Sequence, residues 1–255
     1  MGMDCPPLVL TPNHAVRHGP RLRCGLDLVT VSLLLIPATP VILLLTVATD
    51  PETSWLTWLV ALVVLEHILW LNGLRVATEY AVTHPQTRGA AVWARRAALV
   101  NTFALVLLLP AFGLIAGAES NFLWGCAYTG LAVVLASRGV AWCLGTGAVS
   151  AVLRALGFVK TALALRALAE MACAVVAVSV AGLVLLRYAQ THAATTPEAA
   201  SMYEWGYFLL LVGLPALWII ALTAGALCLR ATKQLQYRFG RAAAAMRRGA
   251  ASIAR

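Results

Sequence analysis

The stretch VVLEHILWLNGL, residues 63–74, sets Glu66 beside His67 in an otherwise apolar run, and Asn72 and Arg75 follow within the same run. Asn101, Arg138 and Glu170 interrupt other apolar runs. A carboxyl group with an imidazole and guanidinium groups in a low-dielectric setting is chemistry for holding a cation or passing a proton. The same groups can also be purely structural, as a buried ion pair and an interhelical hydrogen bond.

Helical geometry assigns these groups to faces. Glu66 shares a stripe with Leu59, Leu62, Gly73 and Ala77, while Asn72, Arg75 and Glu79 lie nearly opposite. His67 stands about 100° round from Glu66. Gly73 and Ala77 form a small-xxx-small pair that admits a neighbouring helix closely. Arg138 falls in line with Ala127, Leu131, Val134 and Trp142, and Glu170 with Ala174, Ala177 and Ala181. The latter stripe is expected to pack against a helix. Arg138 is expected about 9 Å, and Glu170 about 6 Å, inside the basic ends of their runs, so the two are expected to pair. Asp27, Arg75 and Asn101 belong to the same layer. Glu66 is deeper, roughly 16 Å in, where His67 is the nearest ionisable group. Adjacent residues do not face each other on a helix. Glu66 is therefore expected to find a hydroxyl, a backbone group, water or a proton.

The elements that must position these residues are membrane helices. Of 255 residues, 61% are hydrophobic and 11% charged, against roughly a quarter charged in soluble domains. Six apolar runs, Leu26–Ala48, Trp55–Ala77, Ala97–Gly117, Phe122–Leu144, Arg166–Arg187 and Trp205–Leu229, are each long enough to span. Backbone groups in lipid must be satisfied within the segment, so an all-α bundle of three hairpins is expected. Three parts follow: an amino-terminal segment 1–25, a membrane domain 26–229 and a basic tail 230–255.

The net charge of +9 is distributed as a topology signal, not as a nucleic-acid surface. Arg17, Arg21 and Arg23 precede the first run; Arg88, Arg95 and Arg96 follow the second; Arg154 and Lys160 follow the fourth; the rest crowd the tail. The intervening loops carry Asp50, Glu52, Glu119, Glu198 and Glu204. Positive charge on alternate loops places both termini on the cytoplasmic side of an integral membrane protein. Trp55, Trp58, Trp124, Trp205 and Tyr207 begin even-numbered runs at the other boundary, where amphipathic rings reside.

In the tail, Leu235, Phe239, Ala242, Met246 and Ile253 share one helical face, with Arg230, Arg241, Arg248 and Arg255 opposite and Lys233 nearby. A basic amphipathic helix, broken at Gly240 and Gly249, is expected to lie on anionic lipid headgroups, or alternatively to dock a partner. Pro37, Pro40, Pro110 and Pro215 fall inside runs, as hinges or as ordinary irregularities. The six cysteines form no CxxC pair and none sits well inside an outer loop, so no disulfide, metal centre or cofactor is expected.

Motif chemistry excludes several six-helix classes. Paired NPA boxes, PxDxxK/R repeats, a GxS nucleophile, a PSGH-like box, helix-borne aspartate groups and cross-helix histidine pairs are all absent. Three readings remain. The first is a small-solute or ion transporter or channel-like subunit, which requires a continuous polar cavity reaching Glu66. The second is a non-enzymatic membrane-organising or complex-assembly subunit, paired with another membrane protein or with itself, which requires a dry core and a groove facing lipid or a partner. The third is an integral lipid-modifying enzyme, for which no catalytic constellation is found.

Overall fold

The computed structural model describes residues 19–36, 55–79, 85–115, 121–192 and 198–253. Six long helices account for them: α1 (19–36), α2 (Trp55–Ala77), α3 (Pro85–Ile115), α4 (Asn121–Ala155), α5 (Val159–His192) and α6 (Glu198–Ile253). No strand occurs among the described residues. Local chemistry sets the ends. Pro85 opens α3, where a missing N–H costs nothing. Glu198 opens α6, and Arg75 and Arg154 lie in the last turns of α2 and α4, each opposing the helix dipole.

The α4–α5 turn is the best-defined connection. Gly157 adopts φ +83°, its N–H bonds to the Arg154 carbonyl at 3.0 Å, and the Phe158 N–H bonds to the Leu153 carbonyl at 2.9 Å. This is a Schellman stop, which needs a residue free to enter the left-handed region. Phe158 then turns into the core, and its carbonyl accepts from the Ala162 N–H at 2.9 Å as the first bond of α5.

Three segments are long and apolar enough to cross a membrane among the described residues: Ala132–Ala155, Val159–His192 and Glu198–Arg241. Large apolar side chains point outward along the helices, among them Ile68, Phe103, Val133, Leu163, Val184, Leu211 and Ile219. The inward faces form one core near the end of the bundle that carries the Gly157 turn, built on Leu26, Leu33, Trp70, Leu74, Leu153, Leu165, Ala221 and Leu235.

Consecutive helices pack on one another, and α6 returns to α1. Missing side chains permit the close crossings. A methyl at Gly25 would land on the Ala77 backbone nitrogen, and one at Gly73 would come within 2.7 Å of Val29 N. The expected close approach at Gly73 and Ala77 is thus made, by α1. Gly182 and Gly206 face each other across α5 and α6, each leaving room for the other's carbonyl.

Three expectations are corrected. The helices outrun the apolar runs: α4 continues past Leu144 to Ala155, because the packing of Gly145 against Trp70 and the burial of Thr146, Ala148 and Val149 override the weak propensity of Gly145, Thr146 and Gly147. The stripe Ala174, Ala177 and Ala181 faces outward, while Ala172, Ser179 and Gly182 form the packed face of α5.

The tail is the third correction. It forms no separate helix broken at Gly240 and Gly249: α6 runs unbroken through both, and through Pro215. Nor are Leu235 and Phe239 free for lipid. Leu235 is in the core, Phe239 packs beside Gly19, and Arg238 stacks over the Phe158 ring at 4.3 Å while donating to the Leu156 carbonyl at 3.1 Å. The length of α6 carries this apolar face onto α1 and the α4–α5 turn, which gives it a protein neighbour. Arg230, Lys233 and Arg241 are exposed on the opposite side, the last above the Tyr237 ring. Arg248 lies on the helix, whereas Arg255, Pro37 and Pro40 fall outside the described residues.

The crossing at Gly25 sets a stability contrast. Gly25→Ala should destabilise the protein by about 1–3 kcal/mol through overpacking. Gly147→Ala, whose new methyl meets nothing within 4 Å, should leave stability unchanged or raise it by about 0.5–1 kcal/mol. Thermal unfolding of the two variants in one detergent separates them. Equal midpoints would refute the close crossing of α1 and α2.

Candidate functional site: a buried charge cluster

Glu66 is the central residue of α2 and Arg138 the central residue of α4. At 1.5 Å per residue, Glu66 stands about 16 Å and Arg138 about 26 Å from either end of its helix. The two form an ion pair through Arg138 Nη2 and Glu66 Oε2, their side chains 18% and 7% exposed.

Four helices supply the surrounding groups. From α1, the Ser32 hydroxyl donates to Glu66 Oε1 at 2.7 Å. From α3, Asn101 Oδ1 accepts from Arg138 Nη1 at 3.2 Å, and Asn101 Nδ2 donates to Ser137 Oγ on α4 at 2.9 Å. Arg138 Nη1 also reaches His67 Nδ1, and His67 Nε2 lies 2.7 Å from Thr102 Oγ1. Glu66, His67, Ser32 and Asn101 are all buried.

The proton positions follow from the donors. Thr102 gives its hydroxyl proton to the Ala98 carbonyl at 2.9 Å, so it can only accept from His67. Arg138 can only donate. His67 is therefore neutral, protonated at Nε2, with Nδ1 as acceptor. Ser137 likewise donates to the Val134 carbonyl and accepts from Asn101. One assignment of protons satisfies every bond in the chain from Ser32 to Ser137. Satisfied charges are the only tolerable kind in an apolar interior.

Trp70 and Trp142 lie one turn along from Glu66 and Arg138 respectively, their ring centroids 6.1 Å apart. Both are buried, and a methyl at Gly145 would collide with Trp70. Their indole nitrogens have no acceptor among the described residues. The rings close the cluster towards the Gly157 end.

The predicted site residues divide. Glu66, His67, Asn101 and Arg138 come together; Asn72, Arg75 and Glu170 do not join them. Asn72 is exposed and donates to its own helix at Ile68 O. Arg75 is exposed, its carbonyl accepting from Arg95 Nη2 at 2.8 Å. Arg95 also donates to Thr78, and burial there, aided by neighbouring Arg75, lowers its pKa below the usual guanidinium value.

The expected Arg138–Glu170 pair is corrected. Glu170 is 68% exposed and bonded to Arg166 one turn away at 3.0 Å. Asp27 pairs with Arg23, and Glu79 with Arg21. The cause is depth. Measured from Leu144, Arg138 looked shallow; measured from Ala155, it is central and level with Glu66. A hydroxyl partner for Glu66 was expected in kind, and Ser32 supplies it. Ser32, Thr102 and Ser137 carry no signal of this role in the sequence, because isolated hydroxyls in apolar helices commonly bond their own backbone.

The expectation of no disulfide is also corrected. Cys143 and Cys173 are bonded between α4 and α5. An antiparallel hairpin brings together residues equidistant from its turn, and these two stand nearly so about Gly157.

A cavity of about 530 Å³ opens between α4 and α5, lined by Gly147, Ala151, Arg154, Ala162 and Glu170 among others. A second, of about 480 Å³, lies along α6 at Lys233, Tyr237 and Arg241. Glu66 and His67 line neither. Among the described residues no three His, Cys, Asp or Glu side chains converge as metal ligands. No protein-family model matches the chain, and neither the curated proteins nor the solved structures contain a match.

Two outcomes are expected. Glu66→Met or Arg138→Met alone should destabilise by about 3–5 kcal/mol, because each strands a buried charge. The double variant should recover a large part of that loss. Additive losses in detergent unfolding would show that the residues do not interact. For the cysteines, alkylation under denaturing conditions should reveal two reduction-dependent thiols that vanish in Cys143→Ala/Cys173→Ala. Equal alkylation with and without reductant would remove the bond.

Proposed function

We propose that all six helices cross the bilayer, with both termini on the cytoplasmic side, and that the protein is a non-catalytic subunit that organises membrane lipid or assembles with other membrane proteins. The observation that carries this reading is the closed charge cluster. Both Glu66 oxygens, both His67 ring nitrogens and the Asn101 amide are engaged within the protein, and the two cavities open elsewhere. A transport path needs polar groups facing a solvated cavity. A scaffold needs a core locked in one arrangement and an apolar exterior, and both features are present.

Depth supports the six crossings. With Glu66 and Arg138 at mid-membrane, α2 extends about 16 Å to each side, which spans the ~30 Å hydrocarbon core. The Arg21–Glu79 pair then falls at the lipid boundary, as do the end of α2 that carries Arg75 and the facing Arg95 of α3. The alternation of basic and acidic loops orients the whole.

The test is affinity isolation of the full chain from its native membrane in mild detergent, with quantitative mass spectrometry, beside ion and proton flux into liposomes of the purified protein. A stoichiometric protein partner, with no flux above empty liposomes, is expected. Flux above background that Glu66→Gln abolishes while the fold survives would replace this reading with the transport one.

A further inference from the structure

We propose that the groove between α4 and α5 binds one anionic phospholipid, its phosphate at Arg154 and one acyl chain along the small residues of the floor. The inference rests on the reading that α4 and α5 cross the bilayer, and is independent of any protein partner.

The groove is a gap between two defined contacts. On one side α4 meets α5 at Gly139, where Val176 fills the space that a methyl would take, and at the Cys143–Cys173 bond. On the other side the hairpin closes at Gly157, with Ser150 Oγ donating to the Ala162 carbonyl at 2.6 Å. Between these points the facing residues are Gly147, Ala148, Ala151, Ala162 and Ala169, too small to fill the space. About 530 Å³ remains. Gly147 looks into it, since a methyl there would meet nothing within 4 Å, whereas at Gly145, two residues back, the methyl would collide with Trp70. Leu144 and Leu163, both exposed, form an apolar rim open to lipid.

Charge and depth select the occupant. Three charged groups line the groove: Arg154, Arg166 and Glu170. Arg166 and Glu170 neutralise each other at 3.0 Å. The Arg154 guanidinium makes no hydrogen bond or ion pair among the described residues, so one uncompensated cation stands at the mouth. Measured along α4 from Arg138 at mid-membrane, Cys143 lies about 8 Å and Arg154 about 24 Å towards the basic side. Hydrocarbon ends near 15 Å from the midplane, and headgroups extend to about 22 Å. The floor therefore lies in the acyl region of one leaflet and the guanidinium reaches phosphate level. An anion with a long apolar tail satisfies both ends; a free phosphate leaves the floor empty, and an apolar helix leaves Arg154 without a counter-charge.

The experiment reconstitutes full-length protein in nanodiscs of equal phosphatidylglycerol and phosphatidylcholine, then extracts it and counts retained lipids by native mass spectrometry. About one phosphatidylglycerol per chain, in preference to phosphatidylcholine, is expected. Arg154→Gln should lower that preference about five-fold, the factor set by one basic residue near an anionic headgroup. Gly147→Leu should abolish retention of both lipids without lowering the thermal midpoint, because its side chain fills open space. Wild-type retention without headgroup preference would overturn the proposal, as would unchanged retention in both variants. So would a Gly147→Leu protein that changes oligomeric mass while keeping its lipid, which would place a second copy of the chain in the groove. None of these outcomes bears on whether a protein partner co-isolates.

Discussion

The ion pair between Glu66 and Arg138 constrains most of the bundle. A charge buried in an apolar interior costs several kcal/mol unless it is paired. This chain buries two, at the midpoints of α2 and α4. They are tolerable only together, so α2 and α4 must lie within side-chain reach at the same height. A pair alone still leaves a carboxylate oxygen and several N–H groups unsatisfied. Ser32, Asn101 and His67 take these up, which draws α1 and α3 to the same level. One electrostatic requirement thus fixes the relative heights of four helices.

Among the described residues the last two helices contribute nothing to that cluster and are attached by other means. Gly182 and Gly206 let α5 and α6 touch backbone to backbone. Arg238 ties α6 to the α4–α5 turn, and Gly225 admits Leu33 and Leu34 of α1. These are contacts of shape, and they vary along the helix pair. Where Gly139 receives Val176, α4 and α5 fit; where alanine faces alanine nearer the turn, they leave a groove. Polar bonding specifies the first four helices closely, while small residues leave the fifth room beside the fourth.

How far the sequence could be read depends on which physical signal was needed. Helix existence and the inward turn of Glu66 were legible, because apolar runs and small residues on one stripe report burial directly. Gly73 with Ala77 was legible for the same reason. Partner identity was not. It depends on depth, and depth depends on where a helix ends. Leu144 looked like an end because Gly145, Thr146 and Gly147 are weak helix formers, yet α4 continues for eleven more residues to Ala155. That shift moved Arg138 from Glu170 to Glu66. The tail differs. Its apolar face is legible, but a sequence pattern does not distinguish lipid from the bundle's own surface as what covers Leu235 and Phe239. The cysteine pair required knowing that Gly157 is the turn about which positions 143 and 173 are nearly symmetric.

The cluster's composition also bears on what it can do. A buried carboxylate is a cation site only while it is open to cations. Here the carboxylate already holds one, the Arg138 guanidinium, which is tethered to α4 and stays charged. An arriving metal cation would have to displace it and face its repulsion at close range in a low dielectric. An arriving proton would neutralise Glu66 and leave Arg138 buried without its counter-ion, which is the more costly state. His67 offers no easier entry, because Nδ1 accepts from the same guanidinium and Nε2 is committed to Thr102. The groups that make the sequence look like a conduit therefore stabilise one another against use as one, and the site open to occupation lies beside Arg154, where a cation faces an apolar groove without a partner.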